Sequence, residues 1–406
     1  MTRGINLIKN ESTHQFDYFP LVKKRRFTMM KTLYPNLNLK NQIRKIKTAP
    51  GSLIFLFLLF VIPFLSQSQD TALPKNYVCY RANTPLSIDG LATESCWKKV
   101  EWTADFADIE GDKKPIPRFR TRAKMLWDHD YLYVFAELYE PNIWANLKQR
   151  DTVIFYDNDF EVFIDPDGDT HRYYEYEMNA LNTQWDLLLT KPYRDGGNPL
   201  TSWNFDGVRS AVTIAGTLNN PSDKDTCWRL EIAFPLKSFT DSALVLPIKP
   251  GTQWRINFSR VEWQTLVDNG RYIKVINPQT KKPLPEDNWV WSPQGVINMH
   301  CPETWGFIQF SDHVAGTQSE KFRPNPGEKV KDELRDLYFV QRKYYSHYKR
   351  FATNLKEINQ LNVDHLKWKF NPLFHTVDKG YEITAKQKKS RQIWHINETG
   401  KVWSTQ

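Results

Sequence analysis

The sequence predicts an all-β fold, a jelly-roll-like antiparallel β-sandwich, followed by a small α+β appendage with a long helix and a hairpin. Three observations support this prediction. Over residues 71–312, short alternating apolar and polar runs are separated by turns rich in Gly, Pro, Asn and Asp, which is typical of antiparallel sandwiches. Strands do not alternate with helices, and no long helical pattern precedes about residue 328. Beyond that point the apolar residues recur at three- and four-residue steps, which indicates a helix.

The first segment, residues 1–70, is basic and has the pattern that predicts a secretory signal. An apolar run at 53–65 follows three basic residues and precedes Ser66-Gln67-Ser68, and it is too short to span a bilayer of about 30 Å comfortably. We expect cleavage after Ser68 and a secreted, periplasmic or cell-surface protein. Two alternatives stay open: a start at Met29 or Met30, or an uncleaved signal that anchors the chain to a membrane.

Charge is unevenly distributed along the 406 residues. The overall +9 divides into +8 over 1–70, −7 over 71–312 and +8 over 313–406. Because the middle domain is acidic, it lacks the basic surface of a nucleic-acid-binding domain, and no nucleic-acid partner is expected. A neutral ligand or bound cations fit this charge better.

The sequence does not determine how the cysteines pair. The chain has four, Cys79, Cys96, Cys227 and Cys301. After export they could form disulfides in three different connectivities, or remain free and buried, and their spacing does not suggest zinc. A domain of this size does not need such crosslinks, so both alternatives stay open.

Alternating runs predict the strands of the middle domain. They cover 122–127, 131–138, 160–164, 173–178, 185–190, 228–234, 254–263 and 305–310. The run at 160–164 is the most informative, since Phe160 and Ile164 should point to one side and Glu161 to the other. It ends in the turn Asp165-Pro166-Asp167-Gly168-Asp169. Because crowded carboxylates repel one another, we expect a cation there, either an Arg or Lys or a structural calcium ion held by Asp165, Asp167 and Asp169.

Residues 313–330 have the composition of a linker, and 331–406 form the predicted appendage. Apolar residues from Leu334 to Ile358 predict one amphipathic helix of about seven turns, whose apolar face must cover the sandwich or the segment after it. Runs at 381–386 and 393–396, with a turn at 397–400, predict the hairpin.

Three stretches of the middle domain resemble a known family. They are Ile88-Asp89-Gly90 with Cys96-Trp97, the hairpin from Met125 to Val134, and the strand from Asp159 to Asp165, followed by a closing Trp305-Gly306-Phe307-Ile308. Together they resemble the family 9 carbohydrate-binding modules of the DOMON-like β-sandwich superfamily, in the variant secreted by Bacteroidetes-type bacteria. The resemblance spans about 77–312 and implies a non-catalytic sandwich that binds a sugar end or short oligosaccharide and supports polysaccharide breakdown or uptake.

The resemblance also implies a binding site. The family's first sugar-stacking ring falls at Phe155, its strand carboxylate at Glu161 and its asparagine at Asn179. Its arginine falls at Glu177, a reversal of charge, and its second ring falls near His300, where no Trp stands. We expect stacking by Phe155 and by Trp185 or Trp291, and hydrogen bonds from Glu161, Glu177 and Asn179.

Two other functions stay open. Glu161, Glu175 and Glu177 could be the paired carboxylates of a glycoside hydrolase, although alternating acids on a strand usually mark a solvated face. Kinship with DOMON-like sandwiches would allow haem between the sheets, with Met178, Met299 and His300 as candidate ligands.

Overall fold

The computed structural model describes residues 73–242, 246–361, 363, 368–387 and 390–406. The secretory signal predicted at 53–65 lies outside them. Among the described residues, no helix combines the length and the apolar character that crossing a bilayer requires. The strands are β1 Asn76–Arg81, β2 Ala107–Asp108, β3 Thr121–Trp127, β4 Tyr131–Tyr139, β5 Asp159–Asp165, β6 Tyr173–Asn179, β7 Gln184–Leu189, β8 Pro199–Leu200, β9 Arg209–Ala215, β10 Cys227–Pro235, β11 Gln253–Glu262, β12 Thr265–Asp268, β13 Arg271–Lys274, β14 Asp287–Val290, β15 Gly306–Val314, β16 Leu373–Val377, β17 Gly380–Lys386, β18 Ile393–Asn397 and β19 Val402–Thr405. The helices are α1 Ser95–Lys98, α2 Glu328–Tyr348 and α3 Leu355–Ile358.

The sandwich is one long sheet that folds over on itself. Its strands follow the order β8-β7-β6-β5-β11-β15-β1-β3-β4-β10-β9, and β14 and β2 extend it beside β11. Nearly all neighbours are antiparallel, but β1 runs parallel to both β15 and β3. The all-β sandwich prediction is confirmed, and β1 makes the sheet mixed. Each predicted run falls on an observed strand.

The core lies where the inner faces of the two halves meet. Phe160, Val162 and Ile164 of β5 pack in the same buried cluster as residues of β4 and β10. The Tyr176 ring of β6 meets the Phe234 ring of β10 edge-on, with centroids 5.2 Å apart. Because strand side chains alternate, Glu161 must point to the outer face, as the sequence predicts.

The C-terminal module, residues 328–406 as far as described, has a core of its own. Helix α2 packs Leu334, Leu337 and Tyr338 against the four-stranded sheet β16-β17-β18-β19. The prediction of a single helix of about seven turns is wrong. Lys349 adopts a left-handed conformation with φ 56° and ends α2, and Asn354 caps the separate helix α3 by accepting from the Glu357 N–H at 3.0 Å.

The module binds the sandwich through polar contacts. Glu328 at the start of α2 pairs with Arg255 of β11 at 2.9 Å. Burial raises the pKa of Glu328, but Lys331, Arg255 and Arg335 together lower it to about 2. Helix α2 is therefore held to the sandwich by a buried, charged junction, and its apolar face covers its own sheet.

The four cysteines are all free and buried. Burial raises the pKa of each thiol. The free-thiol alternative is therefore the one that the structure contains, and these thiols pack as small apolar side chains.

Candidate functional site

Four neighbouring carboxylates on the outer surface of β5 and β6 form what we call the acidic face: Asp159, Glu161, Glu175 and Glu177. Strand register puts them side by side, because Glu161 pairs with Glu177 and Phe163 pairs with Glu175. Carboxylate oxygens of Asp159, Glu161 and Glu177 all lie within 4.8 Å of one another. Three of these acids therefore converge on one point, although alternating acids could have marked a solvated face.

The acidic face is buried, which makes its charge costly. Asp159 is 0% exposed, Glu177 1%, and Glu161 and Glu175 5% each. Among the residues that the structure describes, no Lys, Arg or His forms an ion pair with any of the four. Burial raises the pKa of Glu161 to about 7. Burial, and then the neighbouring carboxylates, raise the pKa values of Asp159, Glu175 and Glu177. An uncompensated charge in such a place is unstable, so the face favours a proton or a bound cation.

Aromatic rings border the acidic face; we call them the ring border: Phe155, Tyr156, Trp185, Tyr193 and His300. They come from the turn before β5, from β7, from the turn after β7 and from the loop before β15. The Phe155 N–H donates to Glu177 Oε2 at 3.1 Å, and Trp185 stands opposite Glu177 in the register. Desolvation, and then the charges of Glu175 and Glu177, raise the pKa of Tyr193.

Parts of the ring border are open to solvent. Tyr156 is 55% exposed and Tyr193 44%, whereas Phe155 is half-buried. Phe155 packs in a small cluster with Trp144, Val261 and Trp263, and its carbonyl accepts from Trp263 Nε1 at 2.8 Å. The Tyr193 ring meets His300 edge-on at 4.5 Å. Neither Tyr156 nor Tyr193 was predicted from the sequence as a site residue. Tyr156 adjoins Phe155, a signal that was available, whereas only the fold brings Tyr193 to the same surface.

Two residues predicted to contact sugar, Trp291 and Asn179, are buried in the structure. Trp291 is 2% exposed and packs against Phe258 in the core between the sheets, so its prediction as a stacking ring is wrong. Asn179 is 0% exposed, and its side chain is fully used inside the protein. It donates to the Leu147 carbonyl and to Asp157, and it accepts from the N–H groups of Leu181 and Thr183. The Asn179 side chain therefore shapes the loops around the face, and these internal hydrogen bonds occupy both its amide nitrogen and its oxygen.

His300 lies on the same side of the sheet as the acidic face. Its Nδ1 is 3.1 Å from the Tyr173 hydroxyl. Burial, and then the charge of Arg194, lower the pKa of His300 to about 3, so the ring is neutral at physiological pH. The three candidate haem ligands are not brought together, because Met178 lies in the core between the sheets whereas Met299 packs on the outer side.

The turn of residues 165–169, the aspartate loop, brings Asp165, Asp167 and Asp169 together within 4.8 Å. Both oxygens of Asp165 accept backbone N–H groups, from Gly168 at 3.0 Å and from Thr170 at 2.9 Å. The cation that the sequence predicts beside the loop is supplied in part by the C-terminal module. Lys401 Nζ lies 3.3 Å from Asp169, and the Gly168 carbonyl accepts from Arg335 at 3.2 Å. Burial, and then Asp167, raise the pKa of Asp169 to about 6.

A separate groove lies elsewhere on the sandwich. It has a volume of about 410 Å³ and is lined by Arg118, Phe119, Arg120, Tyr139, Glu140, Pro141, Asp225 and Thr226. The guanidinium of Arg120 covers the Tyr139 ring at 4.3 Å, and that of Arg118 lies over Phe119 at 5.7 Å. Since arginines already occupy the ring faces, this groove is less suited to sugar stacking than the ring border.

Part of this chain is similar in sequence to a known family and to a known protein. Residues 88–248 match the sequence model of the family described as carbohydrate family 9 binding domain-like. A stretch of 132 residues is 30% identical to Exoglucanase XynX of Acetivibrio thermocellus, and it covers 32% of this chain and 10% of that enzyme. The matched stretch therefore spans a small part of the relative's length.

Solved structures are also similar. A candidate carbohydrate-binding protein from Bacteroides uniformis aligns over 58% of this chain and 99% of its own, with 17% identity and a TM-score of 0.43. A family 9 carbohydrate-binding module from Caldicellulosiruptor kristjanssonii, solved with cellotriose, aligns over 62% of this chain and 100% of its own, with 16% identity and a TM-score of 0.34. The family match makes residues 88–248 similar to carbohydrate family 9 binding domain-like sequences.

Proposed function

We propose that this chain binds carbohydrate without cleaving it, and that the ring border holds a sugar end or a short oligosaccharide. The observation that carries the proposal is the convergence of rings from separate elements around Glu177. A pyranose presents flat C–H faces to rings and hydroxyls to oxygen acceptors, and the acidic face with its border offers both. The match at 88–248 includes β5, β6, β7 and the Tyr193 turn, so the acidic face and every ring of the border except His300 lie inside the matched segment.

The roles follow from exposure. Tyr193, Trp185 and Phe155 supply stacking area, and His300 holds Tyr193 from the side. Glu161 and Glu175 are the two most exposed members of the acidic face, at 5% each, and accept hydroxyl hydrogen bonds. Glu177 acts from beneath by fixing the Phe155 backbone.

A glycan array, probed with and without a calcium chelator, tests the proposal and identifies the sugar. Phe155→Ala and Tyr193→Ala should each abolish retention of the best glycan while changing the free energy of unfolding little. Tyr345→Ala is the matched control, because Tyr345 is 42% exposed on α2, close to the 44% of Tyr193. Unchanged dissociation constants for both ring-border variants would refute the site.

Hydrolysis of glycosides is the alternative function. Its support is the adjacency of Glu161 and Glu177, since paired carboxylates perform this chemistry. Their near-complete burial favours binding, because a scissile bond must reach both groups. Release of reducing sugar from a polysaccharide panel, stopped by Glu161→Gln, would establish hydrolysis instead.

The proposal extends to export of this protein and to its participation in polysaccharide breakdown or uptake. The apolar run at 53–65 supports export, and the mass of the mature protein tests cleavage after Ser68. A calcium ion at the aspartate loop stays a prediction, supported by its three converging carboxylates. Asp167→Asn should remove a calcium-dependent rise in melting temperature if that ion is present.

A further inference from the structure

The acidic face has more negative charge than sugar hydroxyls can neutralise. Three of its oxygens, from Asp159, Glu161 and Glu177, lie within 4.8 Å of one another. In the folded domain these side chains are 0–5% exposed, too little for a pyranose ring to enter among them. A dehydrated ion is small enough to do so.

A second observation also indicates a ligand at this point. Ser259 of β11 stands directly opposite Glu161 in the register and is 0% exposed. Its hydroxyl lies near enough to lower the pKa of Glu161, yet within the described part of the chain its Oγ has no hydrogen-bond partner of normal geometry. Asp159 Oδ2 is likewise buried without a partner. Buried polar atoms are normally satisfied, so these two oxygens indicate a missing ligand.

We propose that Asp159, Glu161 and Glu177 bind one divalent cation of the calcium type beneath the ring border. Calcium binds oxygen ligands at about 2.3–2.6 Å, so oxygens on opposite sides of one ion lie about 4.6–5.2 Å apart, as the observed spacing allows. Calcium also accepts a site built mainly from protein oxygens, whereas magnesium retains several waters, for which this buried cluster has little room.

This site is separate from the aspartate loop. Asp159 and Asp165 stand at opposite ends of β5. The aspartate loop already has Lys401 and Arg335 beside it, whereas no described basic residue pairs with the acidic face. The cation requirement is therefore stronger at the acidic face. The inference concerns the same surface as the proposed function but does not depend on sugar binding.

Calorimetric titration of the full chain with CaCl₂, after chelator treatment and dialysis, tests the inference. Glu161→Gln and Glu177→Gln keep the side-chain shape and should each weaken calcium binding at this site by about tenfold or more. Asp167→Asn serves as the matched control at the aspartate loop and should leave this site unchanged. Terbium luminescence excited through tryptophan, with Trp185 beside Glu177, should fall in the two Gln variants only.

The outcomes separate the two proposals. Calcium bound by the wild-type chain and weakened by either Gln variant supports the inference, even if no glycan is retained. Calcium binding equal in the wild type and both folded Gln variants, or absent from all, overturns it, even if Phe155→Ala still abolishes sugar retention.

Discussion

Replacing one buried carboxylate should change how the stability of this protein depends on pH. The pKa of Glu161 is about 7 in the folded chain against an ordinary value of 4.5. The folded state therefore holds the proton more tightly. Below pH 4.5 both states are protonated and this stabilisation is fully present. Between pH 4.5 and 7 the unfolded chain releases its proton first, so the stabilisation is progressively lost. A difference of about 2.5 pKa units corresponds to about 3 kcal/mol.

Urea unfolding at pH 4.5 and 7.5 in the presence of chelator, monitored by tryptophan fluorescence, measures this effect. When the pH rises from 4.5 to 7.5, the free energy of unfolding should fall by about 3 kcal/mol less in Glu161→Gln than in the wild type. Glu231 is the matched control, because its pKa is also about 7, but its carboxylate accepts from Trp97 Nε1 and two backbone N–H groups. In a separate measurement without chelator, calcium at pH 7.5 should still stabilise Glu231→Gln. A wild-type pH dependence in Glu161→Gln would refute the reasoning.

Two further predictions concern buried polar contacts. Arg260→Met should lower the free energy of unfolding by about 3–5 kcal/mol in urea titrations. The reason is that Glu140 and Glu262, which Arg260 contacts at 2.7 and 2.8 Å, would stay buried without their shared partner. A loss under about 1 kcal/mol would contradict this prediction. Tyr338→Phe should lower the free energy of unfolding by about 1–3 kcal/mol and speed proteolysis at residues 313–327. It removes the hydrogen bond from the Tyr338 hydroxyl to Asp195, which helps join α2 to the sandwich. Cleavage at the wild-type rate would count against that role.

Much of the sandwich could be predicted from local patterns. The alternation around Phe160 and Glu161 gave the correct faces of β5, because a strand repeats every two residues whatever its surroundings. The parallel placement of β1 could not be predicted, since it depends on which distant strands, β3 and β15, flank it. The break in the C-terminal helix depends on one backbone conformation at Lys349, a residue with no strong preference for it.

The candidate site divides in the same way. Phe155, Glu161 and Glu177 could be named from the sequence through the family resemblance, since each stands at a position that matches the family's pattern along β5 or β6. Trp291 was misplaced, because its position in sequence does not reveal that its ring enters the core between the sheets. Tyr193 was missed, because it reaches the acidic face only through the turn that follows β7.

The order of residues by itself determined the all-β class, the faces of the central strand and the acidic character of the middle domain, because these depend on neighbours in the chain. Tertiary structure alone decided that Asp159, Glu161 and Glu177 share one buried point. Strand pairing brings together side chains that are distant in sequence, and burial turns ordinary surface acids into a place where a proton or a cation is required.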